Sequence, residues 1–179
     1  MPRYRKVKKL DPVVAAYLAG LVDGEGTVTL TRQHRNENRR VVVCISNNEL
    51  EILEFAKDKI GAGRITTKRT YNERHADSYA YQISSRQALD LLTQIVPHMK
   101  SYKARRALLT LKHYVRLTPR NGKYRPGVVK ERERFEHQVL SIRPGKSRDS
   151  NSIPEGDDPH DHLVVCSSVV SQDNNRGLQ

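Results

Sequence analysis

Cysteine is nearly absent: Cys44 and Cys166 are the only two in 179 residues. Two thiols so far apart build no disulfide framework and show no partner spacing for zinc, which points to a reducing compartment. Long apolar runs are missing too. The longest, Val13 to Val22, is interrupted by Tyr17 and Gly20 and stopped by Asp23, far too short to cross a bilayer. The start, Met1 to Lys9, is basic but lacks an apolar core directly after it, so no secretory signal is read. No glycine-rich phosphate cradle is present, and no nucleotide cofactor is implied. The expectation is a soluble, intracellular chain in the cytoplasm of a prokaryote or in an organelle, with no membrane and no small-molecule substrate.

Acidic residues are scarce over most of the length. Lys and Arg number 32 against 20 for Asp and Glu, a net charge of +12. Six of the acids (Asp149, Glu155, Asp157, Asp158, Asp161, Asp173) lie in the last stretch beside a single base, Arg176. Residues 1–148 therefore hold 31 bases and 14 acids, an excess of 17. Such an excess suits a polyanion, because each neutralised phosphate releases counterion.

The punctuation of the chain predicts a mixed architecture. Asp11-Pro12 is a helix start, Asp as N-cap and Pro at the first helical position. This helix runs to about Asp23 and stops at glycines. Residues 27–33 and 40–46 alternate as strands around a polar turn, a hairpin. Asn47 or Asn48 caps a second helix, in which Ile52, Leu53, Ala56 and Ile60 keep helical period, and Gly61-Ala62-Gly63 closes it. The plan then repeats. Strands at 64–71 and 78–84 flank a polar turn, a Leu-rich helix ends before Pro97, and a further helix spans 102–117. The order α-β-β-α-β-β-α predicts one sheet backed by helices on one face. After Pro119 come breakers, a charged helix over 128–142, and from Arg143 a linker-like composition. Leu163 to Cys166 and Val169-Val170 either dock as a strand or belong to that tail. His160-Asp161-His162 lies in the same acidic, breaker-rich tail and is not read as a metal site.

The most informative stretch is Leu18 to Gly26, L-A-G-L-V-D-G-E-G. A small-residue helix here runs into a carboxylate held between two glycines. The last turn of a helix presents free carbonyl oxygens and the negative end of its dipole. With Glu25 added, the site is oxygen-only and electronegative, suited to a hard cation such as Mg²⁺. Gly24 allows close backbone approach, and Gly26 lets the chain turn into the strand without a Cβ clash. Ala16, Gly20 and Gly24 lie four apart and form a smooth ridge, with Ala19 beside it. Two such helices crossing at a two-fold axis would bring two Glu25 side chains together.

This stretch resembles the signature of the LAGLIDADG homing endonucleases, and its single occurrence resembles the homodimeric, single-motif branch. The resemblance covers roughly Asp11 to Val115. It implies an α+β fold, an α-β-β-α-β-β-α saddle whose four-stranded antiparallel sheet is backed by helices, with a homodimer through the motif helix. It implies a metal-dependent double-strand DNA endonuclease, encoded within a mobile intron, that cuts a long, roughly palindromic site to leave 3′ overhangs. Mg²⁺ is the implied cofactor, with Mn²⁺ or Ca²⁺ able to substitute in binding. Glu25 would be the essential metal-binding acid, where the family usually has Asp, and the Gly24 carbonyl would assist. Asn47, at the end of the second strand, would organise active-site waters. Lys103 would stabilise the transition state, with Arg105 or Lys100 as fallbacks. The dimer interface would comprise Ala16, Ala19, Gly20 and Gly24. On this plan residues 1–118 form the endonuclease core, 119–142 a basic helical extension, and 143–179 an acidic tail rich in Pro, Gly and Ser.

A sheet with one apolar and one polar face can lie across a major groove. Val28, Leu30, Val41, Val43, Ile45, Ile65, Tyr79, Tyr81 and Ile83 are expected to face the helices. Their neighbours are then expected to face DNA. On the first hairpin these are Thr29, Thr31, Gln33, Arg40, Val42, Cys44 and Ser46. On the second they are Arg64, Thr66, Lys68, Ser78, Ala80 and Gln82. Loop residues Arg32, His34, Arg35, Arg39, Arg69 and Arg74 would serve phosphates or outer bases. Between Lys100 and Arg134 twelve bases stand against two acids, again suited to backbone contact. Two rival readings use the same features: an RNA-binding intron maturase, which would turn fold and charge to RNA, and a non-catalytic DNA-binding regulator, which needs no metal.

Overall fold

The structure, a computed structural model, describes residues 5–32, 34, 37–68, 77–119 and 124–145. Helix α1 (Pro12–Glu25) begins where Asp11 accepts the Val13 N–H at 2.9 Å, with Pro12 just inside. It runs without a loop into β1 (Gly26–Thr31), which pairs with β2 (Arg40–Asn47). The Asn47 side chain accepts the Glu49 N–H at 2.9 Å, a local turn that leads into α2 (Leu50–Ile60). The helix cap itself is Glu49 rather than either asparagine. Strands β3 (Arg64–Lys68) and β4 (Ser78–Ser84) form the second hairpin, and α3 (Ser85–Ile95) follows. A short 3-10 turn, Val96–His98, precedes α4 (Tyr102–His113), which Ser101 caps. Its last expected turn is irregular, extending to Leu117 as turns. The extension forms α5 (Pro126–Ser141), two residues longer at its start than the apolar pattern predicts, because Pro126 sits at the first helical position.

All four strands are antiparallel in the order β1-β2-β4-β3. Register puts Val43 between Val28 and Ile83, and Ile45 between Gly26 and Tyr81. These side chains share one face with Leu18 and Val22 of α1, Leu53 and Ile60 of α2, and Leu91 and Leu92 of α3, in one continuous core. Ala107 of α4 and Phe135 and Val139 of α5 belong to that same core. Strand β1 alternates strictly between buried and half-buried residues, as its period of two requires, whereas β2 is buried on both faces from Val41 to Ile45. Gly63, at φ 86°, lies where a Cβ would stand 2.7 Å from the Tyr81 ring, so only glycine fits. The buried Tyr81 hydroxyl donates to the Ala62 carbonyl at 2.9 Å, and burial pushes its pKa well above the usual range.

Strand β1 is an edge, and arginines line it. Arg106 donates to the Val28 carbonyl at 3.2 Å and Arg39 to the Leu30 carbonyl at 3.3 Å. Charged groups along an edge discourage strand addition by another chain. Among the described residues no helix is long and apolar enough to cross a membrane.

Candidate active site and nucleic-acid interface

The end of α1 is the focus of the molecule. Gly26 passes so close to the helix that a Cβ there would lie 2.7 Å from both Val22 Cα and the Val22 carbonyl oxygen. The absence of a side chain at Gly26 is what lets helix and strand join directly. Glu25, the last helical residue, is exposed. Gly26 pairs with Ile45, and β2 continues two residues further, so Ser46 and Asn47 lie at the same end of the sheet as Glu25.

Lys103 comes to this point from α4. It is only 8% exposed, and its ammonium donates to the carbonyls of Val22 (3.1 Å), Asp23 (2.9 Å) and Gly24 (3.5 Å). It thus satisfies the open carbonyls and the negative dipole end of α1. Burial lowers its pKa, while Asp23 and Glu25 oppose that shift, and Arg106 adds to it. Lys100 and Arg105, the alternatives read from sequence, are both exposed and do not reach these carbonyls.

Sequence reading missed Asp23. Its carboxylate accepts the N–H of Lys100 at 2.6 Å and of Ser101 at 3.3 Å, and the Ser101 hydroxyl at 2.6 Å. The end of α1 is thereby fastened to the start of α4 at two places, by Asp23 on one helix and Lys103 on the other. Nothing local signals this pairing, because 78 residues separate Asp23 from Ser101.

The arrangement suits a hard cation in part. Glu25 offers an exposed carboxylate, and the Gly24 carbonyl has the longest of the three Lys103 contacts, so it is the least engaged. Among the described residues no group of three or more His, Cys, Asp or Glu gathers into a metal cage. One carboxylate and one carbonyl fit an ion that completes its shell with water and substrate phosphate, as Mg²⁺ commonly does. Asn47 contributes less than expected, since its carbonyl oxygen is engaged by Glu49. Its NH₂ remains a donor.

The opposite face of the sheet carries the residues expected to meet DNA. Thr29, Thr31, Arg40, Ser46, Thr66, Ser78 and Gln82 are half-buried there, and Arg64 is exposed. Arg64 donates across the hairpin to Gln82 at 3.0 Å, so the two present a joined polar unit. Three expected contact residues differ. Val42, Cys44 and Ala80 are buried, at 0, 4 and 3% exposure, in a small cluster of their own. They sit on the two central strands, β2 and β4, where a paired strand flanks each of them on both sides and leaves these small side chains little exposure. Direct base contact from these three is thereby corrected to support of that surface. Lys68 is paired with Ser78 in the register. Gln33, Arg35, Arg69 and Arg74 lie outside the described residues, as do residues 146–179 of the tail.

On α1, Ala16, Gly20 and Gly24 are exposed, together with Val13 and Tyr17. A Cβ at Gly20 or Gly24 would meet nothing within 4 Å. The close approach expected of Gly24 therefore does not occur within the chain. Ala19 is a correction: at 0% exposure it packs in the chain's own core, one step round the helix from the ridge.

Known proteins share this fold. Residues 12–96 match the model of the LAGLIDADG-like domain. No curated protein matches the chain. Among solved structures, the homing endonuclease I-CvuI, in complex with its target in the presence of calcium, aligns with a TM-score of 0.59 at 20% identity, covering 78% of this chain and 87% of that one. The archaeal intron-encoded homing endonuclease I-Vdi141I, complexed with DNA, aligns with a TM-score of 0.59 at 18% identity, covering 78% and 89%. The LAGLIDADG meganuclease I-AabMI, bound to uncleaved DNA, gives 0.51 at 19% identity, but 77% of this chain covers only 47% of that one. At these identities the likeness establishes the fold.

Proposed function

We propose, from the premise that residues 12–96 of this chain are a LAGLIDADG-like domain on the homing-endonuclease fold, that the protein is a site-specific, intron-encoded DNA endonuclease. It acts as a homodimer on a long, roughly palindromic duplex and needs a divalent cation, Mg²⁺ by preference. One observation carries the reading. An exposed carboxylate, Glu25, stands at the end of a sheet whose free face is polar, beside a buried ammonium that has no other obvious target than the end of α1.

The exposed ridge of α1 supports the dimer. Its two glycines leave open space that this chain does not fill, and small ridges let helix backbones meet closely. The chain also spans under half of I-AabMI yet most of I-CvuI, which suits a unit that works in pairs.

Glu25 and the Gly24 carbonyl would hold the metal. When bound, a divalent cation there supplies charge neutralisation at the scissile phosphate and acidifies the attacking water. Lys103 keeps the α1 carbonyls in place and sets a positive charge beside Glu25. Arg40, Arg64 and Gln82 on the polar face are suited to base edges, and the excess of 17 positive charges over residues 1–148 to the phosphates.

Selection of cleaved molecules from a randomised-duplex plasmid library, in Mg²⁺ and in Ca²⁺, tests this. We expect one long, near-palindromic target, cut in Mg²⁺ only. Glu25→Gln should keep specific binding and lose cleavage by about a thousandfold, the scale of several kcal/mol of Lewis-acid assistance. Equal cutting by that variant would reject Glu25 as the essential acid. Binding without any cutting in the wild type would leave a regulator on the same fold.

A further inference from the structure

A second buried cation lies far along the chain from the LAGLIDADG-like segment, on α5. Arg132 is 2% exposed. One terminal nitrogen donates to the Leu117 carbonyl at 2.9 Å and the Thr118 hydroxyl at 2.5 Å, at the end of the α4 region. The other donates to the Arg39 carbonyl, at the end of the β1–β2 loop. Its Nε lies 3.0 Å from one oxygen of Glu136, one turn on, and the other Glu136 oxygen lies 3.5 Å from Arg39 Nε. The guanidinium also sits over the Tyr114 and Tyr124 rings, at 5.7 and 5.6 Å.

Burying such a group is costly, and well-packed apolar residues in place of a buried ion pair are often as stable or more so. Stability alone is thus a weak reason for this network. Its geometry indicates another. Arg39 is the residue before Arg40, and Arg40 pairs with Thr31 in the last rung of β1 and β2. Both are on the polar face. Arg39 also holds the Leu30 carbonyl, so the network grips both strands of the hairpin where they leave the sheet. The planar fork of an arginine fixes direction as well as distance, which a lysine or an apolar residue would not.

We propose that Arg132 and Glu136 are positioning residues: they set the outer rung of the β1–β2 hairpin, and through Thr31 and Arg40 the base-pair preference at the outer part of each half-site. This rests on the reading of the polar sheet face as the DNA surface. Residues 124–145 would then be part of the recognition apparatus, acting through the hairpin.

Arg132→Met fills the space without the fork, and Glu136→Gln keeps a milder lesion should the first variant not fold. Two readouts apply to each. Amide exchange on the full chain should quicken at residues 37–40 and stay unchanged in α3. Selection from a randomised duplex library should show preference falling by about tenfold at the outer positions, the scale of one lost base contact, with central positions unaltered. Slower or faster exchange everywhere, with base preference preserved, would mean a purely structural role and overturn the proposal. So would local loosening that leaves the preference profile intact. A wild type that selects no sequence at all overturns the endonuclease reading instead, and is recognised before any variant is measured.

Discussion

Along α1 the residues that face the sheet and those that face away are packed in opposite ways. Ala15, Leu18, Ala19 and Val22 are at most 4% exposed, whereas Val13 is 77% and Tyr17 49% exposed. The inner side is complete within one chain: its apolar residues meet the sheet, and its last carbonyls meet Lys103. The outer side carries Gly20 and Gly24, which cost about 0.5–1 kcal/mol each relative to Ala and gain no contact in return. Gly26, two residues beyond, is the reverse, since a Cβ there would strike the helix backbone. Of these three glycines in seven residues, only Gly26 is demanded by the packing of the chain itself.

Four measurements can break or sharpen that contrast. The largest effect is expected on the outer side. Gly20→Leu should weaken self-association by about a hundredfold or more, because overpacking costs about 1–3 kcal/mol and a two-fold seam meets it twice. The monomer should melt no lower. Sedimentation equilibrium reads the first and calorimetry the second; an unchanged dimer would place the seam elsewhere.

On the inner side, Lys103→Met should cost about 2–3 kcal/mol in urea unfolding, the scale of lost charge-assisted hydrogen bonds. Lys103→Arg should not restore it, since three carbonyls converge on one nitrogen and a planar fork meets them poorly. A stable Lys103→Met would mean that the ammonium is not what closes the helix.

Next come the glycines as a pair. Gly26→Ala should destabilise by about 1–3 kcal/mol, and Gly20→Ala should stabilise the monomer by about 0.5–1 kcal/mol. Changes of the same sign would erase the distinction between inside and outside.

The smallest effect concerns acid. Burial by itself would raise the Asp23 pKa, but the N–H groups of Lys100 and Ser101, the Ser101 hydroxyl and the Lys103 charge outweigh it and hold the carboxyl below its ordinary range. A depressed carboxyl stabilises the fold above its unfolded pKa of about 3.9, and that contribution fades as pH falls further. Urea midpoints at neutral pH and near pH 3 should therefore fall more for the wild type than for Asp23→Asn. Parallel losses would remove Asp23 from the α1–α4 joint.

Much of this architecture is legible in the residues. Asp11-Pro12, the alternation of 26–31 and 78–84, and the glycines after Ile60 each act on their own neighbours, so local patterns reveal them. Boundaries slipped where tertiary packing competes, as at the frayed end of α4. For the polar face, the sequence carries parity alone. Parity says which side a residue points to and is silent on depth, so it does not distinguish the buried Val42, Cys44 and Ala80 from the half-buried residues around them. The same holds on a helix, where one step of about 100° separates the packed Ala19 from the open Gly20.

Taken alone, the order of amino acids determined the element plan, the small-residue helix ending in Glu25, and the basic character of residues 1–148. Those depend on spacing within a turn or a strand and on composition. Only the folded chain decided which cation closes α1, that Asp23 fastens it to α4, and that Arg132 grips a hairpin 93 residues away. Hydrogen bonds and ion pairs of that kind act over a few ångströms in space, and no periodicity along a chain records which distant residues will share them.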